Sequence, residues 1–160
     1  MGQSGGIWVA TGNGTPSATF DGSDAIVHLT SSRQMIATFA PPDWAADDAA
    51  DHGDVVYVRC HNGVAAVAVD AAVSAARASA HILWRGPARA NGSPILAGGL
   101  VWVVGTAPGE PYGLDPATVG VRAEVAVGAT EHVASPAFAQ RGHFAAAAAA
   151  AAGAEVVALG

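Results

Sequence analysis

The chain contains no lysine: its seven basic residues are all arginine, set against thirteen acidic ones, for a formal net charge of −6. A nucleic-acid reader needs a basic stripe to displace counterions from phosphates, and seven scattered arginines do not make one. A single cysteine, Cys60, excludes an internal disulfide and any cysteine-only metal site. Outside the alanine tract at 145–152, no apolar run approaches the ~18 residues of a membrane helix. Residues 1–6 lack a basic segment followed by an apolar core, so no signal peptide is read there.

What is present is apolar. Hydrophobic residues make up 51% of 160, too many for intrinsic disorder, although alanine inflates the figure and buries little area per residue. The length fits a single domain spanning residues 1–160. Twenty glycines and nine prolines in short clusters argue against long helices.

The strongest signal is an internal repeat. Short β-rich runs, each with one aromatic, recur at Ile7–Ala10, Val55–Val58, Leu100–Val104 and Gly142–Ala145. Their aromatics Trp8, Tyr57, Trp102 and Phe144 lie 49, 45 and 42 positions apart. Val69-Asp70 and Leu114-Asp115 repeat the 45, and Ser93-Pro94 and Ser135-Pro136 repeat the 42. A period of this length, built from several strands without an amphipathic helix, predicts β-propeller blades. An ordinary antiparallel sandwich also has short strands and turns, but it does not require a shared period. The expected units are about 1–50, 51–91, 92–133 and 134–160.

In one unit the strands read as Ser93–Ala97, Leu100–Val104, Pro111–Leu114 and Val121–Val127. Gly98-Gly99 makes the first turn, and Asp115-Pro116-Ala117-Thr118 makes the third, where proline presets φ and aspartate caps amides. Pro41–Asp54 reads as an exposed acidic connection. The eight alanines at 145–152 favour helix by propensity, but repeat register predicts strand.

Gly98-Gly99-Leu100-Val101-Trp102-Val103 and Gly113-Leu114-Asp115-Pro116-Ala117-Thr118 resemble the pyrroloquinoline-quinone (PQQ) type propeller repeat. Ala10–Pro16 resembles the Gly-Thr-Gly-Asn segment of quinoprotein alcohol dehydrogenases, and Asp21–Asp51 is similar to bacterial proteins of the same repeat type. The resemblance implies an all-β fold of about four PQQ-like four-stranded blades, incomplete or open relative to the family, as though truncated or internally deleted. An open arc exposes strand edges and an apolar face, so a protein partner or self-association is expected. Family members are mostly exported, which implies a periplasmic or secreted site.

For chemistry, the resemblance implies Asn13 as a Ca²⁺ ligand and Asp43 as a general base beside the quinone. The family's second calcium ligand, a glutamate, has no counterpart here, and its adjacent-cysteine pair cannot exist with Cys60 alone. The blade-packing motif also departs: Val119 separates Thr118 from Gly120, and Ala123-Glu124 stand where tryptophan is due. From the residues alone, Asn13 is a turn residue between glycines and Asp43 a solvated loop carboxylate.

The segment Asp43, Asp47, Asp48, Asp51, His52 and Asp54 lacks the order of a helix–loop–helix calcium loop and reads as a solvated charge run. Among His28, His52, His61, His81, His132 and His143, no pair has the i, i+4 spacing of a zinc helix. Cys60 reads as a small buried hydrophobe, with His61 on the opposite strand face. No Gly-x-Ser-x-Gly elbow occurs. The aromatic series reads as packing, whereas Trp44 is the aromatic best placed for a contact role.

The expectation is therefore a non-catalytic propeller-repeat module that binds or scaffolds, with no cofactor. The alternative is a fragment of a PQQ- and calcium-dependent alcohol or sugar dehydrogenase.

Overall fold

The computed structural model describes residues 6–11, 25–30, 35–39, 49–60, 62–70, 79–105, 109–126, 136–138, 144–150 and 153–159. The described residues form fourteen strands and no helix. They group into four antiparallel sheets, each an up-and-down meander, and none closes on itself. Sheet one holds β1 (Gly6–Thr11), β2 (Ala25–Thr30) and β3 (Met35–Phe39). Sheet two holds β4 (Ala49–His52), β5 (Val55–Cys60), β6 (Gly63–Asp70) and β7 (Ser79–Arg85). Sheet three holds β8 (Ile95–Ala97), β9 (Leu100–Val104), β10 (Pro111–Leu114) and β11 (Val121–Glu124). Sheet four holds β12 (Pro136–Phe138), β13 (Phe144–Ala150) and β14 (Gly153–Leu159).

The strands of sheet three match the sequence reading closely, with trimmed ends. Gly98 and Gly99 have φ of +58° and +78°, both left-handed, the backbone that a two-residue hairpin turn requires. The alanines of β13 are strand, paired with β12 on one side and β14 on the other. Two expectations need correction. Ala49–His52 is the first strand of sheet two, so the acidic segment is not wholly a connection. Phe144 pairs with Leu159, whereas Trp102 pairs with Gly113 and Leu114 with Val101. The repeat register expects Phe144 in the place of Trp102 and Leu159 in that of Leu114; directly paired, the two cannot hold both places, and the alignments disagree by one residue.

Alternation sorts each strand into two faces. In sheet two, one face carries Val56, Val58, Cys60, Ala65 and Val67, packed with Ile26 of sheet one. We call this the front face. The rear face carries Tyr57, Val64 and Ala66, packed with Val101, Val103, Tyr112 and Leu114 from the front of sheet three. Most of the aliphatics at these two contacts are fully buried, each contributing about 1.5–3 kcal/mol relative to exposure. The sheets follow one another in series: β4 lies beside β1, β8 beside β4 and β12 beside β8.

One irregularity recurs at the same place in three sheets. In sheet two the register slips between Ala66 and Val67, so that Ala66 faces Trp84, Val67 faces Ile82 and Leu83 is the extra residue. In sheet three the slip falls between Gly113 and Leu114, with Arg122 extra. In sheet one it falls between His28 and Leu29, with Ile36 extra. Aligned on Trp8, Tyr57 and Trp102, the three slips coincide. A β-bulge bends its strand and re-aims the neighbouring side chain, so the last strand of each of these sheets, β3, β7 and β11, is bulged at the same register position.

Candidate functional site

The best-defined polar and aromatic arrangement is the junction between sheets two and three. In sheet two the bulge leaves Leu83 outside, 49% exposed, and returns the next residue, Trp84, to the rear face. The Trp84 ring lies 5.8 Å from that of Tyr57, tilted by 38°, within the favourable range for an aromatic pair. Its indole Nε1 donates a 2.8 Å hydrogen bond to the carbonyl of Pro116 in the β10–β11 turn. Trp84 thus fastens the outer strand of sheet two to a turn of sheet three. The sequence reading missed it, and only the strand pairing places it: Trp84 stands opposite Ala66, as Ala123 stands opposite Gly113.

The Pro116 turn is built by Asp115. Its Oδ1 accepts from the amides of Ala117 (2.9 Å) and Thr118 (3.0 Å), the Asx arrangement expected of Asp-Pro. Its Oδ2 accepts from Arg122 Nη2 (2.9 Å) and Nε (3.2 Å). The Arg122 guanidinium, followed by the two amides, holds the Asp115 carboxyl down to about 2. Val119, the residue inserted after Thr118, has φ of 59°. A β-branched side chain in the left-handed region is strained, and glycine is the residue that suits it.

Three further contacts close the junction. Arg59 Nε on β5 donates to the Asn91 carbonyl at 2.7 Å, and the Gly92 amide donates to the Val104 carbonyl at 2.9 Å. Tyr112 Oη donates to Glu110 Oε2 at 2.7 Å. Burial first, then the Glu110 hydrogen bond and nearby negative charge, push the Tyr112 phenol up to about 12, so it stays a neutral donor. Gly63, with φ of +106°, has the Pro87 carbonyl oxygen 2.5 Å from where a Cβ would stand. No other residue fits there without moving backbone.

Cys60 is buried and free, and its Sγ donates a 3.6 Å hydrogen bond to the Val58 carbonyl. Burial pushes its thiol up to about 11 against the opposing charges of Arg85 and Arg59. A protonated, buried thiol is a poor nucleophile and a poor metal ligand. His61, its sequence neighbour, lies outside the described residues.

Asn13 and Asp43, the residues assigned to calcium and base by resemblance, both lie outside the described residues, as does Trp44. Asp51, His52 and Asp54 are exposed around the β4–β5 turn. Among the described residues, no three His, Cys, Asp or Glu side chains come together to hold a metal. Of the aromatic series, Tyr57 is buried and Trp102 half-buried, its Nε1 donating to the Ala97 carbonyl at 3.2 Å.

No protein-family model matches this chain, and no curated protein matches it. Among the described residues, no helix is long and apolar enough to cross a membrane. What the junction does chemically is bind one sheet to the next: its donors and acceptors are paired within the chain.

Proposed function

We propose that this chain is a β-propeller-type repeat module of the PQQ-like kind, serving as a non-catalytic binding or scaffold domain. The observation that carries the reading is the coincident bulge, with Ile36, Leu83 and Arg122 at one register position in three sheets. Independent meanders have no reason to slip at the same pair, whereas copies of one blade do. The side-by-side order of β4, β8 and β12 supports it, as does front-on-rear stacking, the radial repetition of blades. Trp84 reaching the next sheet's turn supports the PQQ-like assignment in particular.

The test is a thermal melt with and without PQQ plus Ca²⁺. A ligand at about a hundred times its dissociation constant stabilises by roughly 2.7 kcal/mol. The module reading expects a cooperative transition at the same midpoint in both conditions. A rise in midpoint that the Asn13→Ala variant abolishes overturns it in favour of the dehydrogenase, with Asn13 on the calcium and Asp43 as base.

A further inference from the structure

The chain has three asparagines, Asn13, Asn62 and Asn91, and a glycine follows each of them. Asparagine is thermolabile because the next backbone nitrogen can attack its side-chain amide. Glycine in that next position favours the attack, since it has no side chain in the way and its backbone is the most adaptable. Asn13 and Gly14 lie outside the described residues. The other two pairs stand in contrasting places.

Asn91-Gly92 is pinned. Asn91 is half-buried between β7 and β8, and its carbonyl accepts the 2.7 Å bond from Arg59 Nε. Its own amide donates to the Arg89 carbonyl at 3.0 Å. The Gly92 amide, whose nitrogen would have to attack, donates to the Val104 carbonyl at 2.9 Å, and Val104 is fully buried. Freeing that nitrogen means opening the junction of sheets two and three. Asn62, by contrast, is exposed in the tight turn between β5 and β6. Gly63 is the first residue of β6 and faces Cys60 at the last rung of the ladder. A ladder end beside an exposed turn opens at a lower free energy than a buried junction.

We propose that Asn62 is a site of spontaneous modification, converting through a cyclic imide to aspartate and isoaspartate, and that Asn91 is held against the same reaction. Hydroxide removes the proton of the Gly63 amide, and its nitrogen bonds to Asn62 Cγ. The bond from Cγ to the side-chain nitrogen breaks, and that nitrogen takes a proton from water and leaves as ammonia. Water then adds to either carbonyl of the imide and opens the ring; nothing is oxidised or reduced. Either product adds one negative charge to a chain already at −6. Isoaspartate also lengthens the main chain by one methylene directly before Gly63, which has no slack. The Pro87 carbonyl oxygen lies 2.5 Å from where a Gly63 Cβ would stand, and the Gly86 amide is bonded to the Val64 carbonyl at 2.7 Å. The modification therefore loosens the seat of β6 against the segment after β7, and stability falls as the protein ages.

The experiment is ageing of the full chain at mildly alkaline pH, in buffer and in parallel in guanidinium chloride. Peptide mapping by mass spectrometry, with enzymatic methylation of isoaspartate, reads each asparagine separately. In buffer Asn62 should convert at least about tenfold faster than Asn91, the ratio given by a difference of about 1.4 kcal/mol in opening free energy. In guanidinium chloride the two should convert at similar rates. Asn62→Gln, which would need a larger ring, should leave that peptide unmodified and lose less of its melting midpoint on ageing. Equal rates in buffer, faster conversion at Asn91, or an Asn62 that converts only when denatured overturns the inference. So does an equal loss of midpoint in the variant and the native chain.

Discussion

Sheets two and three share strand order, register and bulge, yet they secure their outer strands by different chemistry. In sheet two the bulge ejects Leu83 into solvent and turns Trp84 inward, onto Tyr57 and the Pro116 carbonyl of the neighbouring sheet. In sheet three the bulged residue is Arg122, which reaches back to Asp115 in its own turn, and the position of Trp84 is taken by Ala123. The first solution ties two sheets together. The second ties a turn to its own edge strand, and its ion pair is exposed. The aliphatic front face is thus common to both sheets, and the locking of the outer strand differs between them.

The comparison can be broken at four places. The largest effect is expected from Gly63→Ala. Its Cβ would meet the Pro87 carbonyl at 2.5 Å with φ fixed at +106°, for a loss of about 3 kcal/mol, the upper end of common single-residue effects. Chemical denaturation reads this as a lower midpoint at constant slope.

Next is Trp84→Ala. A fully buried tryptophan costs about 3–5 kcal/mol on truncation, and this half-buried one should cost about 2–3 kcal/mol. Trp84→Phe keeps the ring on Tyr57 and loses the Pro116 hydrogen bond, so it should recover more than half of that loss. Trp102→Ala, whose indole bonds within its own hairpin, should cost less than Trp84→Ala. Equal losses at the two tryptophans would remove the distinction between a tie across sheets and a tie within one.

Val119→Gly should stabilise. The left-handed penalty of roughly 1–2 kcal/mol is relieved, less roughly 0.5–1 kcal/mol of glycine entropy, for a gain of up to about 1 kcal/mol. A melt that falls would show that Val119 packing outweighs its backbone strain.

The smallest effects are pH-dependent, and they differ in sign between the exposed turn and the buried residues. Asp115 is held down to about 2, so its contribution is present above its ordinary 3.8 and lost as pH falls toward 2. Arg122→Ala should flatten that acid limb slightly. Cys60 and Tyr112 are raised to about 11 and about 12, so their contribution is intact below about pH 9 and lost as pH rises through those values. Tyr112→Phe should reduce the alkaline loss. An unaltered alkaline limb would place the titrating group elsewhere.

Much of the fold was legible because strand periodicity and turn chemistry are local. The hairpin at Gly98-Gly99 and the turn at Asp115-Pro116 were read from two or three residues each, and both stand as expected. The alanine tract was read as strand only because the repeat register overrode propensity. The bulge was not legible: Leu83, Arg122 and Ile36 share no residue type, and a slipped register is a relation between strands. Trp84 was overlooked because its role depends on that slip. Ala49–His52 was lost in the acidic run, where Asp and Ala come in pairs without the period-two alternation of a strand. The site assigned by resemblance, Asn13 and Asp43, was legible only as motif and lies outside the described residues.

The central claim is that sheets two and three are successive copies of one unit packed front on rear. Native-state hydrogen exchange tests it most directly, because amides that open together belong to one cooperative unit. The account predicts that Val56, Tyr57 and Val58 of β5 exchange at the same opening free energy as Val101, Trp102 and Val103 of β9. It also predicts that Trp84→Ala lowers both sets together. Two separate opening energies, with Trp84→Ala moving β5 and leaving β9 unchanged, would contradict it.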